Sequence, residues 1–501
     1  MGTPFAVDDA GPISGFGRHP ASTQSRFSAL GHPLCNDASR NSEKTAPRRR
    51  PAGNKNRRAA FVLVINFKWF MKRLLIILIC IWATNVVSAQ NADQHIADLI
   101  NAEDWFALDE EYPRIKDSVQ TDFLRPMAEA MLYLHFNQPQ DAITAIKQLL
   151  SNHQEQISSS TTLNFAILLL QTMGETGRYA EAADGLKSLA EQLPEVGSIA
   201  TMYKHYNVLR DFPPMAIDRP KRDVVVPFQL QEYKAKKREA WMREGKRKFK
   251  GYHITVPVTI HGIERQFVFD AGAGATFITE KTARELGLMI LPDTIALNGT
   301  QKGMRAFIDS LSVGGIVCRN MVVYVGLPNA LDSIADGFEA ALGLDFIKAV
   351  GETQILFDQR EILFPANLST HNAAHNVCLA PDLVMLAQKD GKRLLLGFDS
   401  GCTTAELYDD YYQKFRAEVD AIAIKDTVTT GSYGNVANVE IKLLPSISFN
   451  VGGSAVTIDE MELYPPTGNR LYTHDGRMGM SLVRLFRKTT INLNDRYIKF
   501  E

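Results

Sequence analysis

Two aspartates have the residue types and surroundings to do chemistry. Gln266-Phe267-Val268-Phe269 runs into Asp270-Ala271-Gly272, and Leu394-Leu395-Leu396-Gly397-Phe398 runs into Asp399-Ser400-Gly401, 129 positions later. Each carboxyl therefore sits at the end of an apolar strand, on a turn that glycine tightens. Two carboxylates held close cannot both ionise cheaply, so they share a proton and their titrations split. Such a pair suits hydrolysis of an amide: the ionised member takes a proton from water, and the protonated member polarises the carbonyl under attack.

The elements around the two aspartates recur in the same order. Before Asp270 lie His253 to Ile260, a His261-Gly262 turn and the strand ending at Phe269. Before Asp399 lie Leu383 to Leu386, a turn at Lys389-Asp390-Gly391-Lys392 and the strand ending at Phe398. A helix is predicted over Glu280 to Leu286. Asp293-Thr294-Ile295 follows Asp270 by 23 residues, and Asp426-Thr427-Val428 follows Asp399 by 27. Glycine-bearing hairpins come next, Asn298 to Gly303 and Gly431 to Asn435, and then Leu311 to Gly315 pairs with Ile447 to Gly453. Ala341-Leu342-Gly343 matches Arg477-Met478-Gly479, and each copy closes on two short strands, ending at Phe364 and Phe500. So many ordered landmarks make a duplication a stronger signal than either Asp-x-Gly alone.

At these residues the chain resembles the retropepsin-like aspartic proteases, whose layout is an apolar strand into Asp-(Thr/Ser)-Gly, a hairpin flap and a late apolar-apolar-Gly element. Two lobes in one chain, over residues 251–368 and 369–501, resemble the pepsin-like arrangement. The resemblance implies an all-β bilobal double barrel with Asp270 and Asp399 facing each other at the base of a cleft. Ala271, Gly272, Ala273, Ser400, Gly401 and Cys402 are then the supporting loops. The hairpins carrying Gly299, Thr300 and Gly303, and Gly431, Tyr433 and Gly434, are the expected flaps over an extended peptide.

Three positions depart from that pattern. The family has Thr or Ser after each aspartate, its hydroxyl tying the two loops together; Ser400 fits and Ala271 does not, so half of the brace is expected to be missing. Arg477 stands where an apolar residue is expected, and Cys402 where alanine is common. A catalytically weakened relative that binds peptides without cutting them is therefore the alternative. Gly272-Ala273-Gly274 also begins a dinucleotide fingerprint, but Phe277 replaces its third glycine and no βαβ rhythm follows. His371 and His375 have i,i+4 spacing without the glutamate of a zinc helix. No metal or cofactor is expected.

The first half of the chain has a different rhythm. From about residue 90 to 212 apolar positions recur at helical spacing. Met127 to Leu134 and Asp141 to Leu150 read as a hairpin, and Glu181 to Ala190 repeats the second member forty residues on. This resembles tetratricopeptide-type repeats with a longer period, which implies either a surface for a protein partner or a helical spacer. The expected fold is thus multidomain: an all-α helical-hairpin domain, a basic linker or helix over 213–250, then the β lobes. A peptide or protein is the expected substrate, and one chain holding both lobes is expected to be a monomer.

Composition and the amino-terminal segment bound the rest. Fifty-five Lys and Arg balance 56 Asp and Glu, which argues against a nucleic-acid-binding surface. Five cysteines are too few for a disulfide framework. Residues 1–70 read as an extension of the gene, with Met71 the expected start. Met71-Lys72-Arg73, the apolar run Leu74 to Ala83 and Val87-Ser88-Ala89 read as a signal peptide over 71–89, which predicts export to a bacterial periplasm or beyond. An uncleaved anchor over Ala59 to Ala83 is the alternative, though Lys68, Lys72 and Arg73 interrupt it.

Overall fold

The computed structural model describes residues 92–232, 252–297, 301–328, 338–371, 373–432, 435–466 and 474–501. The expected extension and signal segment, the basic stretch 233–250, and the hairpin-tip residues Gly299, Thr300, Tyr433 and Gly434 lie outside them.

Residues 92–208 are helical, followed by a β-rich region. Asp104 caps the helix Trp105–Ile115 by accepting the Ala107 N–H at 3.0 Å, and Ser158 caps Ser159–Glu175 by accepting the Thr161 N–H at 3.1 Å. The helix Pro139–His153 begins on proline, whose fixed φ suits a first turn. The expected helices are all present, as Leu124–His135, Pro139–His153 and Tyr179–Gln192. Their apolar faces build two cores, one around Ile96, Leu108, Met127 and Ile146, the other around Ile167, Leu186, Ile199 and Tyr206. The first continues into Cys378 and Val384, and the second into Leu291. The helical region thus rests on both halves of the β region.

Those halves repeat one layout. In the first, Tyr252–Ile260 and Ile263–Phe269 form a hairpin; in the second, Leu383–Lys389 and Lys392–Phe398 do. Both turn through two residues at positive φ, His261-Gly262 and Asp390-Gly391, the backbone that matches the twist of the flanking strands. Each half then has a short strand after its Asp-x-Gly turn, Phe277–Thr279 or Ala405–Leu407, and a helix, Glu280–Glu285 or Asp409–Ile422. Long hairpins follow: Met289–Leu297 with Gln301–Val313, and Ile424–Ser432 with Asn435–Val451. Late strands Ala340–Leu342 and Gly476–Met478 lie parallel to the strands that lead into the aspartates. A third sheet joins the halves, with Glu352–Leu356 antiparallel to Lys488–Asn492 at its centre. One hydrophobic core runs through both halves, from Phe267 and Phe346 to Phe398 and Phe500.

The linker expected at 213–250 requires correction over its first part. Ala216–Asp218, Val224–Pro227 and Gln229–Glu232 are strands that complete the sheets of the β region. Val224 and Val226 are buried while Val225 is exposed, the alternation of a half-buried strand that the neighbouring arginines and prolines obscured. Helix Asp409–Ile422 was also not anticipated. Its buried residues, Tyr411, Phe415 and Val419, sit four apart within a largely charged stretch.

Candidate active site

Each aspartate is seated by the end of its strand. Asp270 donates its N–H to the Leu342 carbonyl at 3.0 Å, and Asp399 donates its own to Met478 at 3.0 Å. The turns close alike: the N–H groups of Ala273 and Cys402 reach the carbonyls of Asp270 and Asp399, and Leu344 and Met480 donate back to Ala273 and Cys402. These backbone bonds are the same in the two loops.

The loops also meet. A β-carbon on Gly272 would lie 2.2 Å from Cγ of Asp399, and one on Gly401 would lie 2.3 Å from Cγ of Asp270. Each carboxyl fills the space left by the opposite glycine, a reciprocity that brings Asp270 and Asp399 together in a buried position. Gly272 and Ala273 donate N–H groups to Asp270 Oδ1 at 2.9 and 3.1 Å, and Gly401 donates to Asp399 Oδ1 at 2.9 Å. Burial, and then the Asp399 carboxylate beside it, push Asp270 up to about 7.

Ser400 ties the loops. Its hydroxyl accepts the Ala271 N–H at 2.9 Å and donates to the Phe269 carbonyl at 2.8 Å, fully buried. Ala271, equally enclosed, has no hydroxyl to return. A second tie runs from the first half, His253 Nε2 to the Gly401 carbonyl at 2.7 Å. Burial holds that ring below its ordinary range.

The main surprise lies at Arg477. Its Nη1 donates to Asp399 Oδ2 at 3.1 Å, while Nη2 reaches both oxygens of Glu406 at 2.8 and 2.9 Å. Tyr408 donates to Glu406 Oε2 at 2.7 Å. Sequence reasoning registered Arg477 only as a departure and missed Glu406, although an acid four residues after Cys402 in a short strand was visible. A small pocket opens beside Asp399, lined by Gly272, Asp382, Tyr408, His474 and Arg477. Burial pushes Asp382 there up to about 6. Cys402 is partly buried, and burial pushes its thiol up to about 12, so it is not a thiolate nucleophile.

Of the residues expected in the flaps, Gly303 belongs to the strand Gln301–Val313, where a β-carbon would meet Leu297 Cδ1 at 2.3 Å. Gly431 belongs to Ile424–Ser432, paired with Val436. Among the described residues no cluster of His, Cys, Asp and Glu has the arrangement of a metal site. His375 instead bonds Asp109 of the helical region at 2.5 Å.

Compared with known families, residues 256–349 match the model described as "gag-polyprotein putative aspartyl protease". The match covers the first half only, from the strand Tyr252–Ile260 to the helix Leu344–Val350, and includes Asp270. A search of curated proteins finds no match.

Proposed function

We propose that the protein is an exported aspartic endopeptidase that hydrolyses peptide bonds with a water activated between Asp270 and Asp399. The observation that carries this reading is the reciprocal seating of each carboxyl in the space opposite a glycine, Asp399 over Gly272 and Asp270 over Gly401. The family match over residues 256–349 supports it for the first half, and the repeated layout extends it to the second, as a two-lobed double barrel.

The chemistry is a single displacement. One carboxylate takes a proton from the water as its oxygen attacks the scissile carbonyl carbon. The protonated partner gives its proton to the carbonyl oxygen, which yields a neutral tetrahedral gem-diol and leaves that partner a carboxylate. Collapse breaks the C–N bond: the carboxyl that took the water proton passes it to the departing amine, and one gem-diol hydroxyl returns its proton to the other carboxylate as the product carboxyl forms. The long hairpins, Met289–Leu297 with Gln301–Val313 and Ile424–Ser432 with Asn435–Val451, serve as flaps, pairing with an extended peptide and excluding water. The substrate is a peptide or protein segment. Both lobes lie in one chain, so a monomer suffices, and the helical region offers a surface to a protein partner. Export rests on the signal-like run at 71–89.

Mass spectrometry of a peptide library incubated with the purified protein between pH 3 and 8 tests the reading. Internal cleavage that a statine-containing peptide blocks is the expected result. Absence of new termini at every pH counts against it. Arg477 bonded to Asp399, and the hydroxyl absent at Ala271, favour a second reading, a peptide-binding relative without turnover. It predicts saturable binding of the statine peptide with no cleavage.

A further inference from the structure

The register of the strands shows what is unusual about Arg477. It lies between Gly397 on one neighbouring strand and Glu406 on the other. The same grid in the first half puts Ala341 between Val268 and Phe277. Those three pack with Leu297 of the long hairpin in a small apolar cluster. The backbone frame therefore works with apolar residues at these positions. A charged pair there, with Glu406 buried and Arg477 partly so, is costly to desolvate and needs a reason in the site.

The guanidinium is held by its far side. Two of its nitrogens, Nη2 and, at 3.2 Å, Nε, grip Glu406, itself fixed by Tyr408, and the remaining one is aimed at Asp399 Oδ2. Asp270, by contrast, receives backbone N–H groups from Gly272 and Ala273 and shares a side-chain hydrogen bond with Asp399, and among the described residues no cation bonds it. The two aspartates are alike in backbone and unlike in charge environment.

We propose that Arg477 is a positioning residue that fixes the ionised state on Asp399, making Asp399 the general base and leaving Asp270 to carry the shared proton and polarise the scissile carbonyl. This rests on the protease reading above. A cation in direct contact favours the charged form of a carboxyl by about 1 to 3 pH units. Of the other titratable groups around Asp399, Asp270, Asp382 and Glu406 are acids that work against its ionisation, burial pushes the Cys402 thiol up, and burial lowers the His253 ring. Tyr408 and His474 complete the surround. Arg477 is thus the group that decides which aspartate keeps the charge, while Glu406 sets its aim.

The test is a ¹³C NMR titration of protein labelled at aspartate Cγ, in wild type, Arg477→Met and Arg477→Lys, with Asp270→Asn and Asp399→Asn used for assignment. The expected result is that Asp399 titrates below Asp270 in wild type and moves up by about 1 to 3 pH units in Arg477→Met. Arg477→Lys, which keeps a point charge, should recover part of the shift. An Asp399 titration unchanged by Arg477→Met, or one above Asp270 in wild type, overturns the proposal. In parallel, the acid limb of the pH profile for peptide cleavage should move to higher pH in Arg477→Met by the same amount; a fall in rate with no movement of that limb would show a merely structural role. A wild type that cuts nothing defeats the protease reading, while the titration still decides the charge assignment.

Discussion

The carboxyl of Asp399 occupies the place of the missing β-carbon of Gly272, 2.2 Å from its ideal position, and Asp270 does the same at Gly401. Two backbone turns can approach this closely only without side chains between them. The arrangement makes the glycines as necessary to the site as the acids.

Gly272→Ala and Gly401→Ala should therefore behave alike. Each forces the opposite carboxyl aside, and displacement of a reacting group by about 1 Å costs on the order of 100-fold in rate. Circular dichroism should report a folded protein for both, and peptide cleavage should fall by at least that factor. Normal rates in either would show that the carboxyls do not act together.

Ser400→Ala removes the hydroxyl between Ala271 N–H and the Phe269 carbonyl, and strands both in a buried position. Unsatisfied buried groups cost about 1–3 kcal/mol. A urea titration should show that loss, with a matching drop in turnover. Ala271→Ser supplies the hydroxyl on the other loop, where the same geometry points it at the Phe398 carbonyl, and should gain about 1 kcal/mol.

Asp270 makes stability depend on pH. Its pKa is raised by folding, so the folded state holds a proton that the unfolded chain releases near 3.8. The stabilisation is full below that value and is lost as pH rises towards about 7. Asp270→Asn has no such proton. Urea midpoints measured from pH 4 to 8 should move in favour of the variant relative to wild type across this window; a constant difference contradicts the raised pKa.

Arg305 joins the helical region to the first long hairpin. It is almost fully buried, bonding Asp293 through Nε at 3.0 Å and the His205 carbonyl through Nη2 at 2.8 Å. Asp293 and Arg305 lie on the two strands of the hairpin, and His205 belongs to the helix Gly197–Val208. Arg305→Ala takes the guanidinium from the partly buried Asp293 carboxylate and from the His205 carbonyl, and should cost about 3 kcal/mol of stability, read by chemical denaturation. Arg305→Met, which keeps the bulk, should lose nearly as much.

Much of this was legible in the sequence because it depends on short-range patterns. His261-Gly262 and Asp390-Gly391 announce hairpins through the backbone they require, and Asp270 and Asp399 are marked by apolar strands running into glycine. Charge contacts across strands were not legible. Nothing in the spacing of Glu406, Arg477 and Asp399 says that three strands bring them side by side; that follows from sheet register. Likewise the strands at 216–232 were hidden because each is three or four residues long, and the first two gain their hydrogen bonds from partners a hundred residues or more away.

The central claim is that Asp270 and Asp399 act as one unit on a shared water. Peptide cleavage by Asp270→Asn and Asp399→Asn, each measured at the wild-type optimum, tests it most directly. Both variants should stay folded and lose at least about 1,000-fold, since neither a base nor an acid alone completes the step. Wild-type cleavage persisting in either variant would contradict the account.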